Sequence, residues 1–449
     1  MKKLFGTDGI RGVANLELTG HLAFEIGKVT TYVLAEQSIH SPVILIGRDT
    51  RISGDLLESS LVAGICAMGG HALCLGVIPT PGIAYLTQLY QADAGIVISA
   101  SHNSFEFNGI KIFNSKGYKL SDELEEKIEK MIVNRELDSI RPIGDKIGRK
   151  SDITTSGQDY ADFLQNTVET DFTGMKLVMD CANGAAYKIA PALFQKLGAT
   201  VDVIAGNPTG ININNHCGAT DLENLIKAVK GDGYDMGIAF DGDADRFMAV
   251  DKNGGVVNGD MVLAILGLYM KSNHSLIDNT IVATVMSNLG LFKMAEKNGL
   301  NIVKTKVGDR YVLAEMLDKG YVLGGEQSGH TILLQHSTTG DGLLTSMHLL
   351  EIMKNTKQPL SELSKVMTVF PQVLLNAKVS EENKDRYLED PIIQKMCSQL
   401  EEDFKGDGRV LIRPSGTEPL VRVMIEGQDK KYITDRAMEL VKVIEGRLN

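Results

Sequence analysis

The chain has 449 residues, more than one hydrophobic core usually organises, so roughly two to four domains are expected. Hydrophobic residues at 43% and charged residues at 23% exclude a disordered chain, and a net charge of -11 excludes broad electrostatic binding of nucleic acid while leaving room for a local basic pocket. Five scattered cysteines (Cys66, Cys74, Cys181, Cys217, Cys397) without CxxC spacing indicate neither a disulfide framework nor a zinc site and fit a reducing cytoplasm. The opening MKKLFGTDGIRG turns polar at once and the apolar run Met261 to Met270 is too short to span a bilayer, so neither export nor membrane attachment is expected.

Short apolar runs that end in Gly, Asp, Asn or Ser loops, with helical patterns between them, predict an α/β architecture in three sets of three strands. The first set is VILIGRDTR from Val43, CLGVIPTP from Cys74 and GIVISASHN from Gly95, with a helix over Leu56 to Met68 closed by Gly69 and Gly70. Ser121 caps a further helix whose first turn carries Asp122 and Glu123 and whose apolar face is Leu124, Ile128, Met131 and Ile132. Asn134 to Gly157 is polar and reads as a connection. KLVMDCANG from Lys176, TVDVIAGNP from Thr200 and MGIAFDGDADR from Met236 form the second set. TIVATVMSN from Thr280, NIVKTKVGD from Asn301 and YVLGGEQSGH from Tyr321 form the third. In each set the third strand runs into the loop richest in reactive side chains, and ligands of open α/β sheets sit beyond strand carboxyl ends. From about Phe370 the rhythm changes to VLLNAKV, a charged helix, RVLIRPSG, LVRVMIEG and a final amphipathic helix, which predicts a smaller α+β domain. The expected domains are therefore 1–150, 151–250, 251–369 and 370–449.

Asp241, Asp243 and Asp245 in DGDADR share one side if the segment is extended, and three such carboxylates suit one hard cation such as magnesium. An EF-hand is set aside, because its sixth position is Arg246 and its twelfth Lys252; a solvated acidic turn is the plainer alternative. In SASHNSFEFNGIKIF, Ser101 is either a nucleophile or a loop hydroxyl bonded to nearby backbone. No GxSxG surrounds it, and GEQSG at Gly325 to Gly329 puts its serine one place late for a nucleophile elbow. A metal beside Ser101 would favour phosphoryl transfer. RPSGTEP from Arg413 offers a guanidinium, hydroxyls and turn amides that can ring an anion, or a structural turn; no G-x-x-x-x-G-K-[ST] loop occurs. GEQSGH sets Glu326, Gln327, Ser328 and His330 on one loop, suited to sugar hydroxyls or simply a capped turn.

Together and in this order, FGTDGIRG, SASHN with NGIK, DGDADR, GGEQSGH and RPSGTEP resemble the α-D-phosphohexomutase family over essentially the whole chain, and within it the branch acting on glucosamine phosphate. The resemblance implies three similar mixed α/β sheet domains and a smaller C-terminal α+β domain around a central cleft. It implies interconversion of glucosamine 6-phosphate and glucosamine 1-phosphate, feeding cell-wall amino-sugar precursors, with one Mg2+ per chain and glucosamine 1,6-bisphosphate or a similar hexose bisphosphate as activator. By resemblance Ser101 is the phosphoserine and joins Asp241, Asp243 and Asp245 around the metal, with Arg246 supporting their loop. Arg11, Lys111 and His330 match positions for acid/base or electrostatic help. Glu326 and Ser328 match the sugar-contacting pair, with Gln327 and Arg310 also facing substrate, and Arg413, Ser415, Gly416 and Thr417 match the site of the non-reacting phosphate. One departure is Ser104, where family loops often carry proline. A phosphoglucomutase or phosphomannomutase is the alternative within enzymes, and a non-catalytic phosphosugar sensor the alternative outside them; a homodimer is left open.

Overall fold

The computed structural model describes residues 4–6, 8–35, 40–415 and 419–448. Each predicted set builds one mixed sheet on a shared plan: second strand, first strand and third strand parallel, then a fourth strand antiparallel to the third. In the first sheet these are His71–Val77, Val43–Arg48, Ala94–Ile98 and Phe107–Asn114. In the second they are Thr200–Ile204, Lys176–Asp180, Met236–Phe240 and Phe247–Asp251, and in the third Asn301–Thr305, Thr280–Thr284, Leu323–Gly325 and Thr331–Leu333. Ala94–Ile98, Met236–Phe240 and Thr280–Thr284 are buried at every residue, as continuous apolar runs within helix-covered sheets should be.

The fourth strands are a feature beyond the three-strand reading, and they convert each loaded loop into a hairpin. The first sheet is further widened by Gly9–Val13 and Phe5–Gly6, supplied by the FGTDGIRG segment, and on its other edge by Lys150–Asp152. That last strand lies in the stretch read as connection; all three of its residues are exposed, so no hydrophobic alternation marks it. Helices Gly20–Ala35 and Gly54–Ala67 pack over the first sheet with Ile26, Val29, Leu61 and Ile65 in its core. They approach so closely that a Cβ on Gly64 would stand 2.1 Å from the Phe24 carbonyl oxygen. The helix Asp122–Val133 forms as expected, with Ser121 Oγ accepting from the Leu124 N–H.

By internal packing the chain forms two compact units, Met1–Val285 with Leu300–Lys365, and Met286–Gly299 with Val366–Asn449. The first contains the three mixed sheets. The second is an antiparallel sheet, Gln372–Lys378, Leu420–Gly427 and Gly408–Pro414, packed with helices Pro391–Phe404 and Lys430–Leu448. It also holds the helix Leu289–Lys297, which sequence order groups with residues 251–369. The link is chemical: buried Glu426 accepts from Asn288 Nδ2 at 2.9 Å and the Leu289 N–H at 3.1 Å, and pairs with Arg409. No described helix is long and apolar enough to cross a membrane.

Candidate active site

The three loaded loops occupy one topological position, the turn from third to fourth strand, in three different sheets. Between Phe240 and Phe247 the chain is not extended: Ala244 takes a left-handed φ of 58° and its N–H bonds the Asp241 carbonyl. The three aspartates therefore converge through a tight turn, and not through strand alternation as the sequence suggested. Their ligand atoms lie within 4.8 Å of one another, and all three residues are buried. Asp243 Oδ1 and Asp245 Oδ1 are buried without a hydrogen-bond partner, which is how oxygens reserved for a cation look. Burial, then Asp245 and Asp243, push the Asp241 carboxyl up to about 8, so this much negative charge fits a hard divalent cation.

Ser101, 1% exposed, places its Oγ 2.6 Å from Asp241 Oδ2, to which it donates. Its neighbour His102 has Nδ1 3.3 Å from the same hydroxyl, and burial first, then Arg246 and Arg11, lower that imidazole to about 4, so it is neutral. The loop hydroxyl that meets nearby backbone is that of Ser99, which accepts from the Ser101 N–H at 2.9 Å, whereas the Ser101 oxygen itself faces the carboxylate cluster.

A band of buried and half-buried charge surrounds the cluster. Lys111 Nζ is 3.0 Å from Asp243, 3.1 Å from Asp8 and 3.6 Å from Asp245. Burial opposes its charge, but these carboxylates outweigh it and hold the ammonium protonated well above the ordinary lysine range. Arg11 pairs with Asp8; Lys119 Nζ bridges Asp8 and Asp309, each at 2.5 Å. His330 completes the band: Nδ1 is 3.6 Å from Asp245, while Nε2 accepts from the Gly340 N–H at 3.0 Å. Arg246 donates its backbone N–H to Asp241 Oδ1 at 3.2 Å, and its guanidinium stands 4.0 Å from Asp245. Thr80 Oγ1 donates to Asp243 Oδ2 at 2.7 Å. Asp8, Lys119, Asp309 and Thr80 were missed from sequence; for Asp8, Asp309 and Thr80 the available signal was that each lies in a quoted motif, FGTDGIRG, NIVKTKVGD and CLGVIPTP, whereas Lys119 lies in none.

Glu326, Gln327 and Ser328 are half-buried on the third hairpin. Glu326 Oε1 accepts from the Gly308 N–H at 3.1 Å, and the Gly329 carbonyl accepts from the Phe247 N–H at 3.1 Å, which fastens this loop to the aspartate hairpin. Arg310 is engaged elsewhere, by Asp122 and by Glu125 at 3.3 Å. In the second compact unit Arg413 lies directly across the ladder from Arg422, and its Nε, like Ser415 Oγ, is buried without a partner. Burial and then Arg422 lower the Arg413 pKa, so this pair of cations calls for an anion. Gly416 and Thr417 lie outside the described residues.

A buried serine hydroxyl set on three converging carboxylates, on repeated mixed sheets, fits a phosphotransfer enzyme of the sugar-phosphate mutase class. The chain belongs to the phosphoglucomutase/phosphomannomutase family: its α/β/α domain I matches residues 2–138, domain II 158–255, domain III 258–370 and the C-terminal domain 374–443. It is 60% identical over 448 residues to the phosphoglucosamine mutase of Acetivibrio thermocellus, covering 100% of both chains. Among solved structures, a phosphoglucomutase/phosphomannomutase family protein from Burkholderia thailandensis shares the fold with a TM-score of 0.82 at 24% identity, over 100% of this chain and 99% of that one. The N-acetylphosphoglucosamine mutase of Aspergillus fumigatus, in complex with GlcNAc-6P and magnesium, has a TM-score of 0.69 at 17% identity over 99% and 96%.

Proposed function

We propose that this chain interconverts glucosamine 6-phosphate and glucosamine 1-phosphate through a phosphorylated Ser101 and a hexose bisphosphate, in the cytoplasm, on the route to amino-sugar precursors. The observation that carries the chemistry is the 2.6 Å contact of Ser101 Oγ with Asp241 inside the buried triad. The relative at 60% identity supports the amino sugar.

In the forward half-reaction the bond between phosphorus and Ser101 Oγ breaks while one forms to the free sugar hydroxyl oxygen. The hydroxyl proton is lost and Ser101 Oγ gains one, so the half-reaction is proton-neutral. The return half-reaction takes the other phosphoryl of the bisphosphate back to Ser101 by the same exchange, restoring the phosphoenzyme. Asp241, Asp243, Asp245 and the Ser101 phosphate would hold one Mg2+, which when bound neutralises charge on the transferring oxygens. Lys111, fixed as a cation by Asp243 and Asp8, adds positive charge at the same place. Arg11 and Arg246 orient Asp8 and the aspartate hairpin, and His330 fixes Asp245. Glu326, Gln327 and Ser328 bind the sugar, with Arg310 joining them if it leaves Asp122 and Glu125. Arg413, Ser415, Gly416 and Thr417 take the phosphate that does not react, with glucosamine 1,6-bisphosphate or a related bisphosphate as the activator.

The test is to incubate enzyme, shown by intact mass to carry one phosphoryl group, with glucosamine 6-phosphate, Mg2+ and a catalytic amount of hexose bisphosphate, and to follow the phosphorus resonances. Appearance of glucosamine 1-phosphate is expected; its absence with phosphorylated, folded enzyme overturns the reading.

A further inference from the structure

We propose that Arg51, with Asn214 as its partner, is a positioning residue that holds the backbone of the serine loop so that Ser101 Oγ stays in place beside the aspartate cluster during phosphoryl transfer. The inference rests on the phosphoserine reading above and adds to it a reason why the loop keeps its shape.

Ser101 has a left-handed φ of 52°, a conformation that a non-glycine residue holds only when its surroundings fix it. Arg51 supplies that fixation. It is fully buried, and every N–H of its guanidinium is committed: Nε donates to Asp49 Oδ2 at 2.8 Å, Nη2 to the carbonyls of Ser101 at 2.9 Å and Asn103 at 2.8 Å, and Nη1 to those of Ser104 and, at 3.1 Å, Phe107. Four carbonyls of one loop thus converge on one planar fork, a geometry that lysine, with its donors on a single tetrahedral nitrogen, cannot reproduce. Asp49 closes the circuit from the other side: it accepts from Ser99 Oγ at 2.6 Å, and that oxygen accepts from the Ser101 N–H at 2.9 Å. Both backbone polar groups of Ser101 are therefore wired to the Asp49–Arg51 pair.

Asn214 adds a second grip from the loop that follows the strand Thr200–Ile204. Its Nδ2 donates to the carbonyls of Ser101 at 2.9 Å and Asn103 at 3.0 Å. Gly242, between two of the metal-site aspartates, lets the hairpin approach: a Cβ there would stand 2.5 Å from the Ser101 carbonyl oxygen. The side-chain hydrogen bonds of Arg51 and Asn214 described above go to Asp49 and to backbone carbonyls, not to the Ser101 hydroxyl or the three aspartates, so their effect is on where the nucleophile sits. A displacement of about 1 Å in a reacting atom costs on the order of 10²-fold in rate.

The experiment compares wild type, Arg51→Lys and Asn214→Gly, the last keeping the left-handed backbone that Asn214 adopts at φ 57°. For each, kcat and KM for glucosamine 6-phosphate are measured, together with the rate at which the isolated phosphoenzyme loses its phosphoryl group to water, by intact mass. The expected result is a kcat lower by about 10- to 100-fold with KM within about threefold, and a larger share of the phosphoryl group lost to water relative to transfer. A purely structural role would lower the amount of folded protein without moving that partition. If Arg51→Lys fails to fold, Asn214→Gly decides alone. Folded variants that keep kcat within about twofold, or that lose only KM, overturn the proposal; a wild-type enzyme without phosphorylation or turnover overturns the mutase reading instead.

Discussion

Ser101 Oγ donates to Asp241 Oδ2 across 2.6 Å although the two residues are 140 positions apart. The hydroxyl and the carboxylate come from equivalent hairpins of two different sheets, so the serine loop and the aspartate cluster are brought together by one repeated topology. Ser101→Ala should abolish bisphosphate-primed turnover, by about 10³-fold or more, while removing too little volume to disturb the buried loop. Circular dichroism and a thermal melt would establish the fold. Near-normal mutase activity in the folded variant would remove Ser101 from the mechanism.

Removing divalent metal should stop turnover, and Mg2+ should restore it. Because a ligand that binds only the folded state stabilises it by about 2.7 kcal/mol at a hundredfold excess over its Kd, Tm should also rise on titration with Mg2+. The rise should vanish in the Asp243→Asn/Asp245→Asn double variant, in which two of the three carboxylates no longer carry charge. Undiminished turnover after verified metal removal would exclude the assigned role.

Glucosamine 6-phosphate should exceed glucose 6-phosphate and mannose 6-phosphate in kcat/KM. Each buried group left unpaired by an analogue costs roughly 1 to 3 kcal/mol. The gap is held down because a mutase accepts its sugar in two orientations and cannot fit every substituent tightly in both. Gln327→Met should narrow it. Wild-type preference for glucose or mannose phosphate would overturn the substrate assignment and leave the mutase assignment standing.

Asp341 gives stability a pH dependence of its own. It caps the helix Gly342–Thr356 by accepting from the Leu344 N–H, and its other oxygen accepts from Tyr160 Oη at 2.7 Å. Burial raises its carboxyl to about 6, more than these bonds lower it. The folded state therefore keeps a proton that the unfolded chain loses above its ordinary pKa of 3.8, so this contribution is full below that value and is lost as pH rises towards about 6. A shift of this size corresponds to about 3 kcal/mol. Urea unfolding of Asp341→Asn across that window should show a shallower fall of stability with pH than wild type. Identical slopes would refute the assignment.

The nine predicted strands, the separate C-terminal rhythm and the reactive loops were legible because strand, helix and turn preferences are local. DGDADR also marked three carboxylates that could converge on a hard cation, from their spacing after an apolar strand. The sequence could not say that its aspartates meet through a left-handed Ala244, nor that the exposed strand Lys150–Asp152 exists, since one depends on a backbone turn and the other on a neighbouring edge that offers free hydrogen-bonding groups. Asp8, Lys119 and Asp309 looked like ordinary surface charges in the chain, and only their ion pairs with one another, Lys111 and His330 bring them beside the site. Arg51 is the sharpest case: in GRDTR it is one arginine among several, whereas in the fold its five N–H groups find Asp49 and four carbonyls of a loop some fifty residues away. What the sequence determined by itself was which groups are present and which local elements carry them. Which of those groups face one another was decided by tertiary structure, because hydrogen bonds and ion pairs act over a few ångströms and only packing brings distant segments within that range.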